Sequence, residues 1–171
     1  MMKTMKTMVT LLGALLVCLA CVGCSSAPDL ANDVATLTVA RAALDAVDSA
    51  QDYMDGTSAY FAYYFGDLEQ AVLVNDCVMM FHQNETNVNQ LCIFRTASEK
   101  DARSLEDAVE DYIEEQAEYL YGFAKNYSPE DLKKIDNADT EVIGCYVIGY
   151  ILSPAQEQTA LKAVREALSA R

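Results

Sequence analysis

The hydrophobic positions of this chain fall into three patterns: one uninterrupted run, several repeats of three and four residues, and several short stretches dense in β-branched and aromatic residues. The uninterrupted run is residues 8–22, which carry no charge and follow Lys3 and Lys6. At about 15 residues it falls short of the ~20 that span a bilayer as a helix. It ends in Cys21-Val22-Gly23-Cys24-Ser25-Ser26. A basic start, a short apolar core and small residues at the end are the marks of an export signal. A cysteine following Gly23 makes it the lipoprotein type, cleaved so that Cys24 becomes the first residue and takes the lipid. Cys21, behind Leu19 and Ala20, is the second choice. Two or three acyl chains on one cysteine are enough for stable attachment to a membrane. Residues 24–33 then read as a tether.

Beyond the tether the helical repeat takes over. In residues 34–51, Leu37, Ala40, Leu44 and Val47 recur at three and four residues, with Asp45 and Asp48 outside, which predicts an amphipathic helix. Tyr53-Met54-Asp55-Gly56-Thr57-Ser58 reads as a break with turn chemistry. Tyr60, Phe61, Tyr63, Tyr64 and Phe65 follow as an aromatic knot closed by Gly66. Residues 71–82 and 88–95, rich in Val, Met, Phe and Ile, predict two strands joined by the polar turn Gln83-Asn84-Glu85-Thr86-Asn87.

Ser98 starts the longest helix, with Glu99 and Asp101 in a first turn whose dipole favours negative charge. Ala102, Leu105, Val109, Tyr112, Ile113, Leu120 and Phe123 make its apolar stripe. Ser128-Pro129-Glu130 opens a short helix. Residues 142–152 are apolar on both alternate sets, which predicts one interior strand covered on both faces. Ser153-Pro154-Ala155-Gln156 is a capping box before a last helix with Leu161, Val164 and Leu168 inward. The order α-β-β-α-β-α predicts an α+β domain over residues 34–171, with a small, about three-stranded antiparallel sheet packed against helices.

Charge and chemistry add less. The net charge of −14 over 171 residues disfavours nucleic acid and anionic lipid headgroups as partners. With one histidine, His82, and no CxxC spacing among Cys77, Cys92 and Cys145, the cysteines that follow the signal and its lipidated residue, there is no zinc set, and no EF-hand pattern follows Asp139. No metal or cofactor is therefore expected. Cys77 and Cys92 flank the hairpin turn and are candidates for a disulfide; the alternative reading makes them and Cys145 small buried hydrophobes. The aromatic knot reads first as packing under the sheet. Its second reading, as a ligand platform or partner surface, makes Tyr60, Phe61, Tyr63, Tyr64 and Phe65 the candidate interaction surface.

Five segments carry a resemblance: Tyr63-Tyr64-Phe65-Gly66-Asp67-Leu68-Glu69, Leu91-Cys92-Ile93-Phe94-Arg95, the acidic helix from Ser98, Tyr127-Ser128-Pro129-Glu130 and Gly144-Cys145-Tyr146-Val147. On these the chain resembles a family of small lipoproteins of Clostridia-like Gram-positive bacteria built on one domain of unknown function. The resemblance covers about residues 34–168 and implies the location and the fold, not an activity.

The expected function is a lipid-anchored, non-enzymatic module on the outer face of the cell membrane, binding an envelope protein, peptide or cell-wall component. An envelope hydrolase is the alternative. It requires a nucleophile with an oriented base, marked by a pocket that gathers His82 with at least two carboxylates. A solute-capture lipoprotein of a transporter is the third reading.

Overall fold

The computed structural model describes residues 30–169. The signal peptide, Cys21, Cys24 and most of the tether lie outside the described residues. Five strands form one antiparallel sheet in the order β1-β2-β3-β5-β4, made by β1 (Tyr53–Asp55), β2 (Asp76–His82), β3 (Gln90–Arg95), β4 (Asp139–Ile143) and β5 (Tyr146–Ile151). Five α-helices accompany it: α1 (Thr36–Val47), α2 (Thr57–Tyr64), α3 (Glu99–Tyr127), α4 (Leu132–Ile135) and α5 (Pro154–Ser169).

The α+β class holds, but the sheet has five strands where three were expected, for two physical reasons. The stretch 142–152 is not one strand. Gly144 sits at φ +59, a left-handed conformation that suits the first loop position of a two-residue hairpin. Gly144 and Cys145 turn the chain, and Ile143 pairs with Tyr146 across the loop. The second addition is β1, in the segment that reads as a turn. Its three residues are held by tertiary pairing alone, Tyr53 opposite His82 and Asp55 opposite Met80. The strand expected from residue 71 begins at Asp76 instead, after a 3-10 turn at Glu69–Leu73.

Side-chain alternation sends the sheet's apolar residues to two cores. On one face Val78, Met80, Leu91, Ile93, Ile148 and Tyr150 meet α1 and α5. On the other, Met79, Cys92, Phe94, Val147 and Ile151 meet α3 and the aromatic end of α2. β5 is buried along its whole length, as expected of a strand apolar on both sides. Gly149 lets α3 come close: a Cβ there would lie 2.7 Å from Ile113 Cγ1 and 2.8 Å from Cys92 Sγ.

The caps behave as their chemistry dictates. Ser98 Oγ accepts from Asp101 N at the start of α3. Ser153 and Gln156 form the reciprocal box at α5, with Gln156 N donating to Ser153 Oγ and Ser153 N donating to Gln156 Oε1. Asp76 of β2 accepts from Thr36 N, placing a carboxylate at the N-terminus of α1. Ser128 donates its hydroxyl to the Thr86 carbonyl, tying the end of α3 to the β2–β3 loop.

Candidate functional site

The aromatic knot is helix α2 with Phe65 as its C-cap, opened by Asp55 Oδ1, which accepts from Thr57 N at 2.8 Å. Helical spacing sorts its rings into two rows. Phe61 and Phe65, four apart, stack at 5.6 Å and turn toward the sheet; Phe65 is fully buried, 4.9 Å from Phe94 and 5.4 Å from Tyr112. Tyr60 and Tyr64 form the second row, stacked at 6.0 Å, with Tyr60 held at 4.2 Å from Phe81. Tyr63 stands edge-on to Tyr64 and is 79% exposed. The expectation of packing thus holds for Phe61 and Phe65, while Tyr60, Tyr63 and Tyr64 reach the surface together.

They line a groove of about 460 Å³ with Ala59 of α2 and with Gln116 and Tyr119 of α3. Gln116 Nε2 donates to Tyr64 Oη at 2.8 Å, which fixes the central ring. Tyr119 is 80% exposed on the opposite wall. Past Tyr64 a second hollow of about 300 Å³ continues between Leu68, Gln70 and the α3 residues Asp107, Asp111, Tyr112 and Glu115. Burial raises the Tyr64 phenol above its ordinary value, with the Glu115 charge adding and the Gln116 hydrogen bond opposing. Burial raises Tyr112 as well. Both phenols stay protonated at neutral pH and offer ring faces and hydroxyls rather than a nucleophile.

Gln116 and Tyr119 escaped the sequence reading. Gln116 is a buried polar residue on the apolar stripe of α3, Tyr119 lies off that stripe in the acidic run, and only the fold brings them to α2. The usable signal was an aromatic residue at a helix position that periodicity assigns to solvent.

The other chemistry-bearing residues sit apart from this groove. His82 Nδ1 accepts from Asn84 N at 3.0 Å, and its ring lies edge-on to Tyr53 at 5.0 Å. Nearby, Asn89 Nδ2 donates to Tyr53 Oη and to Asp48 Oδ2 in a partly buried polar cluster. Cys77 pairs with Phe94 and Cys92 with Met79, so the two cysteines are not cross-strand partners, and both are free thiols with Cys145. Burial pushes Cys92 up to about 12 and Cys77 up to about 11, leaving both as unreactive thiols. A hollow of about 570 Å³ beside α1 mixes Arg41 with Asp45 and Asp55. Among the described residues, no group of three His, Cys, Asp or Glu side chains is arranged to hold a metal ion, and no helix is long and apolar enough to cross a membrane.

Sheet, flanking helices and groove define an α+β protein with helices over both faces of an antiparallel sheet and a tyrosine-lined seam on one of them. The chain belongs to the family described as Domain of unknown function (DUF4358), whose model matches residues 45–153. That span takes in all five strands and both walls of the groove, and it stops at the residue before α5. No curated protein and no solved structure matches the chain.

Proposed function

We propose that this protein is a lipid-anchored, extracytoplasmic binding module, held at the cell membrane through Cys24 and presenting the tyrosine groove between α2 and α3 to an envelope partner. The observation that carries the reading is the groove itself. Tyr63 and Tyr119, on two different helices, leave most of their rings in water around a cavity large enough for a side chain or short segment. Aromatic side chains gathered in one concave place supply rigid contact area at low entropic cost, the usual basis of a binding surface.

The exit of the tether supports this arrangement. Leu30 packs against Gly144 in the β4–β5 turn, and Ala31 N donates to the Leu168 carbonyl at the end of α5. Tyr60, by contrast, lies on Phe81, which pairs with Gln90 at the end of the sheet remote from that turn. Tyr60 thus lies at the opposite end of the sheet from the point where Leu30 and Ala31 dock. The lipoprotein leader and the Gram-positive envelope setting rest on residues 1–24 and on the family resemblance.

The test uses a benzophenone amino acid at position 63 in the full chain, expressed in its own membranes. Adducts that form at position 63, and disappear with Tyr119→Ala or when Cys24→Ala releases the anchor, support the reading. Adduct formation no greater than at the exposed position 166 counts against it. Intact-mass analysis of the native chain and Cys24→Ala tests the anchor separately: acyl mass is expected on the native chain alone.

A further inference from the structure

We infer that the groove takes an extended, arginine-bearing peptide segment whose cationic side chains lie along one ridge of α3; this deepens, and rests on, the reading of the groove as a binding surface. The ridge is Asp107, Asp111, Glu115 and Tyr119, spaced four residues apart and so on one face of the helix. The three carboxylates line the outer hollow, and Tyr119 lines the inner one, with Tyr64 shared between them. The ridge is about 18 Å long at the helical rise. Like charges four apart repel, and among the described residues no ion pair engages any of these three carboxylates.

No neutralising group comes from the facing wall either. Residues 42–94, which contain β1, α2 and β2, include no Lys or Arg, and neither do residues 104–124 of α3; Arg103, one turn before Asp107, is paired with Glu99. The groove is therefore acidic and aromatic at once, with no base inside it. That combination suits arginine. A guanidinium pairs with a carboxylate in a fixed planar geometry and also stacks on a tyrosine face.

The spacing selects an extended chain. Successive carboxylates on the ridge are about 6 Å apart along the axis. Alternate side chains of an extended strand are about 6.6 Å apart and share one face. Arginines at every second position thus meet Asp107, Asp111 and Glu115 in turn, and the next one enters the box formed by Tyr60, Tyr63 and Tyr119. A single small cation would use one of these stations and leave the others unpaired.

The test is fluorescence anisotropy with the full chain in nonionic detergent and a fluorescein-labelled peptide of alternating Arg and Thr, beside a Glu–Thr peptide of equal length. Saturable binding of the Arg–Thr peptide alone is expected. Asp111→Asn with Glu115→Gln should weaken it about tenfold, and Tyr63→Ala with Tyr119→Ala by a similar factor. Glu130→Gln with Glu166→Gln, equally charged changes on other surfaces, should leave it within about twofold. The carboxylate variant removes repulsion, so it should fold at least as well as the native chain. Equal weakening by both charge-neutralising pairs would mean diffuse attraction to an acidic protein and overturns the inference. Displacement of the peptide by spermidine at the peptide's own concentration overturns it in favour of a small polycation. Absence of peptide binding also overturns it, and if crosslinking at position 63 still depends on Tyr119, the binding-module reading survives that failure.

Discussion

Replacing Gly149 with alanine tests the closest approach in the fold. The added Cβ would sit 2.7 Å from Ile113 Cγ1, 2.8 Å from Cys92 Sγ and 3.0 Å from Ile113 Cδ1. Ordinary carbon contacts lie near 3.5–4.0 Å, so about 1 Å must be regained. The neighbours have little room to give it. Ile113 is 1% exposed and branched at Cβ, and Cys92 is 3% exposed on the central strand with its thiol donating to the Gly149 carbonyl at 3.4 Å. Overpacking of this kind costs about 1–3 kcal/mol, partly offset by the about 0.4–1 kcal/mol that alanine removes from the unfolded chain's entropy. A net loss of about 1–2 kcal/mol corresponds to about 2–8 °C in Tm for a chain of this size. Ile113→Ala alone should cost about 2–5 kcal/mol through its cavity. The double variant should then cost less than the sum by about 1 kcal/mol or more, because the new methyl enters the space the isoleucine leaves. Urea and thermal unfolding of the four proteins measure this. A Gly149→Ala protein as stable as the native one, or strictly additive costs, would refute the seating of α3 on β5 at this residue.

Gly144→Ala should lose about 1–2 kcal/mol, since only glycine holds φ +59 without a side-chain clash, and Gly144→Asn should lose less; thermal melts of the two variants decide. Ser153→Ala should cost about 1 kcal/mol in urea unfolding by removing the hydroxyl that accepts from Gln156 N. Alkaline pH should destabilise the fold through Cys92, whose thiol is raised from 9.0 to about 12 by burial. The unfolded thiol ionises first, so its contribution is complete below pH 9 and falls between pH 9 and 12, at up to about 1.4 kcal/mol per pH unit. Urea midpoints of the native chain and Cys92→Ala across that range check this, with the shallower decline expected in the variant.

Most of the helices could be read along the chain because each makes a one-sided apolar stripe or carries its cap in sequence. Ser98 and the Ser153–Gln156 pair mark the starts of α3 and α5 as expected. β2 and β3 announced themselves by their β-branched and aromatic content. What escaped depends on tertiary pairing. β1 is three residues long and looks like a turn until β2 lies beside it. Residues 142–152 are apolar enough throughout to suggest a single strand, yet the positive φ of Gly144 folds that stretch into a hairpin. The site was half legible. Tyr60, Tyr63 and Tyr64 are adjacent in sequence, whereas Gln116 and Tyr119 come from more than fifty residues away, as the separation of 52 between Tyr64 and Gln116 shows.

The groove follows from a mismatch of widths. A single helix is about 10 Å across, whereas five strands spaced about 4.8 Å apart make a sheet close to twice as wide. One face answers this with two helices, α1 and α5, sealed by small and aliphatic residues such as Ala40, Ala43, Ala160 and Val164. The other is covered by α3, of 29 residues, and by α2, of only 8, and a seam between unequal helices has to be filled by side chains. Leucine or methionine would close it. The chain instead sets Tyr63 and Tyr119 there, 79% and 80% exposed, and runs a ridge of mutually repelling carboxylates beside them. Large rings left in water forgo part of the roughly 1.5–3 kcal/mol that burial of a large apolar side chain contributes. Repulsion between successive acids costs a few tenths of a kcal/mol per pair. Neither feature stabilises the isolated fold, and both fall on the same seam. Local choices that oppose stability and converge in one place are the physical mark of a surface shaped for something other than folding.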